Sequence, residues 1–528
     1  MPTRTQEIRS AATGRASLLL KSQLRDGVRR LLASFIVSAI GALTGCGGES
    51  QTSPEDFQRL SEQPARAVAE PDKDSEPVRL PDGSSPPTGE TTDYADEEQP
   101  ALPELQEVYR PSDSRPRHDD ERAAELGIAR YESKRLLLYT DIDPEVAETL
   151  PPLMDQAYDA WVDYFGPLPP DREGTEYQMT GYIMRDRDRF IAAGMLPEAA
   201  QGSLIHGVHR GSEFWMNEQQ YDYYRRHLMI HEGTHCYTMA VPGVRPPIWY
   251  LEGIAELFGT HQMDRTGEAE FRVMPEDRSP YVGFGRIEMI RNAIDAGESR
   301  SVDGVVSLSD ADFAESQEDP YAWSWAFCKF LDANPNYQDR FRTLAHNVVG
   351  REFYRILAEE FETDRRELDI EWELFSRSIE YGYDIERSAI AFLRGEPLPA
   401  DSSIAVDVAA DRGWTSSGVW LEAGRNYDIA AEGEVVLANE PEPWISQPNG
   451  VSIRYASGKP IGRVLGVVIN TASRLDGTPA APLEVLDIGA NRALEPTRSG
   501  TLYLRVNDFW NELADNSGKY RITIHARP

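Results

Sequence analysis

The sequence predicts a multidomain chain: an α+β unit over residues 126–397 and an all-β sandwich over 403–528, after a disordered N-terminal linker. Three observations predict it. A chain of 528 residues exceeds what one hydrophobic core can serve. Up to about residue 395, apolar residues recur at helical spacing between a few strand-like runs. Beyond a polar break at Pro397–Ser403 the pattern turns to short alternating runs, such as Tyr503–Val506 and Tyr520–Ile524. The net charge of −34 opposes a nucleic-acid partner, since phosphate backbones bind through basic patches. Three cysteines, Cys46, Cys236 and Cys328, are too few for a disulfide scaffold or a cysteine-rich zinc module.

The strongest apolar run, Leu31–Gly45, follows Arg29 and Arg30 and is short for a membrane span, so residues 1–45 read as a signal peptide. It ends in Leu43-Thr44-Gly45-Cys46, which resembles the lipobox of bacterial lipoproteins. That resemblance implies acylation of Cys46, export and a lipid anchor in the membrane. Residues 46–125 read as a disordered tether: from Glu49 to Glu125 there are 11 prolines, 21 acidic and 8 basic residues without apolar periodicity. A flexible coil of that length spans roughly 50 Å.

In the α+β unit, Leu136–Tyr139 and Tyr177–Met184 are predicted strands, with a helix from about Pro144 to Phe165 between them. Glu213–Met216 is a predicted short strand leading into a helix that starts near Gln219. That helix carries His231-Glu232-Gly233-Thr234-His235. Residues four apart share one helix face at about 6 Å, so both imidazoles can reach one ion, with Glu232 alongside. Zinc chemistry asks for this set: two neutral nitrogens, an anionic third ligand, and an open position for water whose proton a carboxylate takes. After a proline-rich turn (Pro242, Pro246, Pro247), Trp249–Glu256 reads as a second helix offering Glu252 and Glu256 on one face.

Together, HEGTH and the Trp249-Tyr250-Leu251-Glu252-Gly253 segment resemble the gluzincin clan of zinc metallopeptidases, which implies a zincin-like fold for residues 126–397. By that resemblance His231, His235 and Glu252 are the zinc ligands and Glu232 is the general base and acid. Glu256 then holds a ligand histidine through its second ring nitrogen. The second histidine precedes Glu252 by 17 residues and Glu256 by 21, against about twenty in better-known families, so the two glutamates could exchange roles. Tyr321, opening Tyr321-Ala322-Trp323-Ser324-Trp325-Ala326, resembles the tyrosine of small gluzincin-like bacterial proteins and is the candidate oxyanion donor, with a core tyrosine as the other reading. His227, one turn before His231, is a candidate to support a ligand, whereas His206, His209 and His261 read as surface or capping residues. Cys236 and Cys328 read as buried free thiols rather than a disulfide.

In this clan an edge strand beside the active helix pairs with an extended peptide, and Gly211–Asn217 stands at that place in the order, which implies a peptide or protein substrate. Trp215-Met216-Asn217-Glu218 does not match the aminopeptidase strand, so endopeptidase action is expected.

From Trp414 onward, Gly418–Gly424, Leu502–Asp508 and Asp515-Asn516-Ser517-Gly518 resemble the galactophilic lectin fold, a galactose-binding-like sandwich. The resemblance implies calcium held by Asp508, Glu512, Asp515 and Asn516 with a backbone carbonyl near Leu421, and a glycan or cell-wall ligand. Asn507-Asp508 and Asp515–Gly518 are equally ordinary turn sequences. The expected function is zinc-dependent peptide-bond hydrolysis by a tethered envelope protein. The alternative is a non-catalytic carbohydrate-binding lipoprotein that uses the zincin fold as scaffold.

Overall fold

A computed structural model describes residues 108–528 apart from 203, 205, 317, 346–349 and 472–482. The signal peptide, Cys46 and most of the tether lie outside the described residues. The part of the predicted tether that is described is ordered: Arg110 is buried against Asp171 at 3.2 Å, and Asp120–Glu125 is helical.

The first sheet is built from β1 (Ala129–Glu132), β2 (Leu136–Thr140), β3 (Met179–Met184), β4 (Gly207–Arg210) and β5 (Glu213–Asn217), in the order β1-β2-β3-β5-β4. The central three are parallel, with an antiparallel strand on each edge. β3 is buried along its whole length because both faces are covered. Met179 and Ile183 face one apolar cluster, and Tyr182 and Met184 face another with Tyr139, Phe190 and Trp215. The predicted strand Glu213–Met216 exists as β5, but it lies inside the sheet; the edge is β4. Backbone polarity explains the error: the tight turn at Gly211 sends the chain back to pair again, and its first arm, not its second, is left outermost.

The predicted helix from Pro144 divides into a turn, Pro144–Ala147, and α1 (Leu150–Phe165), whose Leu150, Leu153, Met154, Ala157, Tyr158, Trp161 and Tyr164 form one buried stripe. Gly166, at φ 80°, ends it. α2 (Asp222–Ala240) follows β5, with nearly every residue from His227 to Tyr237 buried, so it is a central helix. α3 (Ile248–Gly259) starts after Pro247, where a missing N–H costs nothing. α4 (Arg286–Asp295), α5 (Asp319–Ala333) and α6 (Arg365–Ser378) complete the surround, with a small hairpin of β6 (His261–Met263) and β7 (Ala269–Phe271) inside the stretch expected to be helical. Two glycines let the helices close. A Cβ on Gly233 would meet Met154 and Trp161 of α1 at 2.9 Å, and one on Gly253 would meet Cys328 Sγ at 2.5 Å and the Ser324 carbonyl oxygen at 2.7 Å in α5. Cys236 and Cys328 are buried free thiols. Among the described residues no helix is long and apolar enough to cross a membrane.

The C-terminal part has two six-stranded sheets. One holds β8 (Glu396–Pro397), β10 (Thr415–Leu421), β14 (Asn449–Ala456), β15 (Lys459–Ile469), β16 (Leu486–Asp487) and β18 (Gly500–Val506); the other holds β9 (Ser402–Ala409), β11 (Tyr427–Glu432), β12 (Val435–Val436), β13 (Ile445–Ser446), β17 (Asn491–Leu494) and β19 (Ser517–Ala526). Their inward residues, among them Val419, Leu502, Leu504, Ile429, Ile522 and Ile524, make one apolar cluster. β8 pairs with β10 ahead of the polar break, so the sheet takes its first strand from residues assigned by sequence to the preceding unit. β18 is buried on both faces: Leu502 and Leu504 point into the sheet pair, while Tyr503 joins the helical cluster with Leu465, Val467, Trp510 and Leu513.

Candidate metal centre

α2 brings His231 and His235 onto one face, and α3, packed across it, brings Glu252. His231 Nε2 lies 3.2 Å and His235 Nε2 3.3 Å from the same oxygen, Glu252 Oε2, and the two nitrogens are 3.1 Å apart. Metal–ligand bonds of about 2.0–2.1 Å in a tetrahedral zinc site put ligand atoms about 3.3 Å apart, so this triangle has the dimensions of one face of such a site. Two imidazole nitrogens directed at each other and at one carboxylate oxygen are also what a shared cation reconciles.

Glu256, one turn after Glu252, stands on the other side of His231. Its Oε1 lies 3.3 Å from His231 Nδ1, its Oε2 lies 3.3 Å from His227 Nε2, and Arg286 of α4 grips both oxygens at 2.9 and 3.0 Å. His227, His231 and Glu256 are near enough to be grouped as ligands themselves. The guanidinium argues against that: it already neutralises the carboxylate and occupies both oxygens. The geometry therefore separates the two glutamates, Glu252 on the Nε2 side and Glu256 on the Nδ1 side.

Charge follows this arrangement. Burial alone would push the His231 imidazole down, but hydrogen bonding to Glu252 and Glu256 on its two sides outweighs it and raises it to about 10. His235 meets only one carboxylate and stacks against another imidazole, so burial wins and its pKa is lowered. Burial would raise Glu252 and Glu256; the histidines for the first, and Arg286 with the histidines for the second, hold both below the usual carboxylate range. His227, also fully buried, is lowered by desolvation.

Glu232 is buried beside this cluster, and β4 covers it. A Cβ on Gly207 would fall on the Glu232 carboxylate, so only glycine permits this approach. Two residues along the same face, His209 stacks on His235 with ring centroids 4.5 Å apart and places Nδ1 3.7 Å from Glu232 Oε2. Sequence reasoning assigned His209 to the surface and did not identify Gly207 or Arg286. The alternation Gly207-Val208-His209 before a predicted strand was the available signal for the first two; nothing local signals Arg286. Tyr321 sits in the first turn of α5, its ring 6.2 Å from His231 and 5.9 Å from the Arg286 guanidinium carbon. Burial first, and then Glu252, Glu256 and Glu232, raise its phenol, which keeps it a hydrogen-bond donor. Of the remaining histidines, His206 is exposed, whereas His261 is buried, with Nδ1 2.8 Å from the Gly259 carbonyl oxygen.

The predicted calcium residues are brought together only in part. Asp508 Oδ2 accepts from Asn516 Nδ2 at 3.0 Å, and both residues are buried. Glu512 is turned to Arg454, which binds its two oxygens at 2.7 and 2.6 Å, and Asp515 is exposed. Leu421 pairs with Gly500, at the start of β18, whereas Asp508 follows its end. Eight residues separate Gly500 from Asp508, so at about 3.4 Å per residue the Leu421 carbonyl is roughly 27 Å from Asp508. The antiparallel register carries it to the wrong end of the sheet.

No protein-family model matches the sequence, and no curated protein matches it. Among solved structures, the chain is similar to the EclA N-terminal domain, described as a PllA-like lectin, with 21% identity over 23% of this chain and 95% of that one and a TM-score of 0.18. That degree of likeness assigns no ligand to this chain.

Proposed function

We propose that this protein is a zinc-dependent peptide hydrolase, exported and held to a membrane through Cys46. The observation that carries the reading is the triangle of His231 Nε2, His235 Nε2 and Glu252 Oε2, with edges of 3.1, 3.2 and 3.3 Å, beside a buried Glu232. Its donor set, two imidazoles and one carboxylate, is the one zinc takes in hydrolytic sites.

Held by His231, His235 and Glu252, zinc would supply a Lewis acid for a peptide carbonyl and would make water acidic enough to lose a proton near neutrality. Glu232, buried beside the triangle, would hold a proton on its carboxylate and pass it to the leaving nitrogen. His209, with Nδ1 3.7 Å from Glu232 Oε2, steadies the carboxylate. Tyr321, protonated, donates to the oxygen that gains negative charge. β4 pairs with β5 on one side only, and its other edge is suited to an extended peptide, which points to an internal stretch of chain as substrate.

Metal analysis and peptide-library cleavage by the full chain and three variants test this. His231→Ala and Glu252→Ala are expected to lose zinc. Glu232→Gln is expected to keep it while turnover falls by about 10²–10⁴-fold. Wild-type protein without zinc, or Glu232→Gln with undiminished cleavage, would falsify the proposal.

A second cation is supported by one observation: Asn516 Oδ1 is buried without a partner among the described residues beside Asp508, whose carboxyl burial pushes up to about 6. Calcium held there by Asp508 and Asn516 would raise the thermal unfolding midpoint over that in chelator; an unmoved midpoint rejects it.

A further inference from the structure

At the turn of the β4–β5 hairpin, on the Tyr182–Trp215 side of the first sheet, a cavity of about 540 Å³ opens under the segment that leads in from the tether; its lining includes Arg115, His118, Tyr182, Arg210, Glu213 and Met239. Arg210 and Glu213 are register partners across the hairpin, so their side chains leave the same face of the sheet. Such a pair ordinarily closes on itself. Here, among the described residues, neither has an opposite charge within 4.0 Å.

Glu213 is held by a different partner. The Tyr182 hydroxyl donates to Glu213 Oε1 at 2.8 Å and lies 2.6 Å from His118 Nε2. A phenol has one proton, and Glu213 takes it, so His118 is the donor to Tyr182. The chain of imidazole, phenol and carboxylate engages one oxygen of Glu213 and, among the described residues, leaves the other without a hydrogen bond. Tyr182 cannot turn away, because its ring is fully buried in a stack between Tyr139 and Trp215, at centroid distances of 5.9 and 5.2 Å. Of the other two arginines that line the cavity, Arg115 is already bound to Asp113, Gln178 and Thr180, and Arg110 to Asp171. Burial pushes the Glu213 carboxyl up, against the Tyr182 bond and the more distant Arg115 and Arg210.

We propose that this cavity binds a small zwitterion, a free α-amino acid, with its ammonium on Glu213 and its carboxylate on Arg210. A half-buried carboxylate with no cation gains most from a ligand that brings one. The volume lies in the range of small-molecule sites, and Met195, Pro197 and Met239 supply apolar wall for a side chain. The site uses none of the residues at the metal centre and stands whether or not the chain is a hydrolase.

Calorimetric titration of the full chain, in chelator, with L-leucine, leucinamide and N-acetylleucine tests it. Leucine is expected to bind saturably at millimolar concentrations or below. Each single-charge analogue should bind at least about ten-fold more weakly, as should leucine to Glu213→Gln and to Arg210→Gln. The exposed Arg210 bears little on folding, so its variant decides the matter even if Glu213→Gln is destabilised. Absence of saturable binding, equal binding of the analogues, or wild-type affinity in Arg210→Gln overturns the proposal. Persistence of binding in chelator separates this result from any failure of the hydrolase reading.

Discussion

Glu256 has demanding surroundings: buried between His227, His231 and Arg286, it is compensated mainly by one guanidinium. Arg286→Met would leave it buried beside imidazoles alone, and losing one partner of a buried pair costs about 3–5 kcal/mol. Urea unfolding should show that loss, and on the proposed zinc reading competition with a chelator should show the metal held about 10–100-fold more weakly, because the carboxylate beside His231 is no longer anchored. Lys329 poses the opposite problem. Its ammonium is buried, donating to the Arg272 carbonyl at 2.6 Å, and desolvation outweighs Asp332 to lower its pKa from 10.5 to about 8. The unfolded chain therefore holds more protons between pH 8 and 10.5, so this residue makes stability rise with pH through that window and is most costly below pH 8. Stability of wild type relative to Lys329→Met should climb by up to about 3 kcal/mol from pH 8 to 10.5; a flat difference in denaturation midpoints would contradict the assignment.

At the scale of elements, the site depends on three close approaches, each made where a side chain is missing. Gly233 admits α1 to α2, Gly253 admits α5 to α3, and Gly207 admits β4 to Glu232. The first two support the helix pair, so substituting them costs packing energy, about 1–3 kcal/mol for an added methyl in a filled core. Gly207 is on an edge strand, where a displaced carboxylate matters more than a displaced backbone. On the proposed hydrolase reading, Gly207→Ala should keep its fold and the wild-type metal content but lose about 10²-fold in kcat, the usual result of misplacing a reacting group by an ångström. Circular dichroism, metal content and turnover, measured together, check this. The helices were legible because an apolar stripe at helical spacing is a local property, as in α1. The edge strand was not: both arms of the hairpin carry strand-like sequence, and which one is outermost depends on where β3 offers its free side.

For the whole molecule, the consequence is that the helical part and the β part cannot be separated cleanly. Trp510 stacks on Tyr383 with centroids 5.7 Å apart, its carbonyl accepts from the Asp384 amide at 3.1 Å, and its amide donates to Glu380 Oε1 at 3.0 Å. Tyr503 and Leu513 lie in the same apolar cluster as α5 and α6 residues. A chain cut after residue 398 would expose that face, and it should bind a hydrophobic dye, unfold at lower temperature than the full chain and aggregate; a soluble, cooperatively folding fragment would disprove the dependence. Length and the change of periodicity near residue 400 were enough to foresee two kinds of structure, but not that β18 is buried on both faces. What the sequence by itself determined is local: the two histidines on one helix face, the two glutamates one turn apart on the next, and the glycines beside them, because helix geometry relates residues three and four apart without further information. Only the tertiary structure decided that Glu252 meets both Nε2 atoms while Glu256 meets Arg286, that His209 leans over Glu232, and that Glu512 turns to Arg454 rather than to Asp508. Those contacts join residues far apart in the chain, and packing between whole elements, which no local pattern encodes, sets their distances.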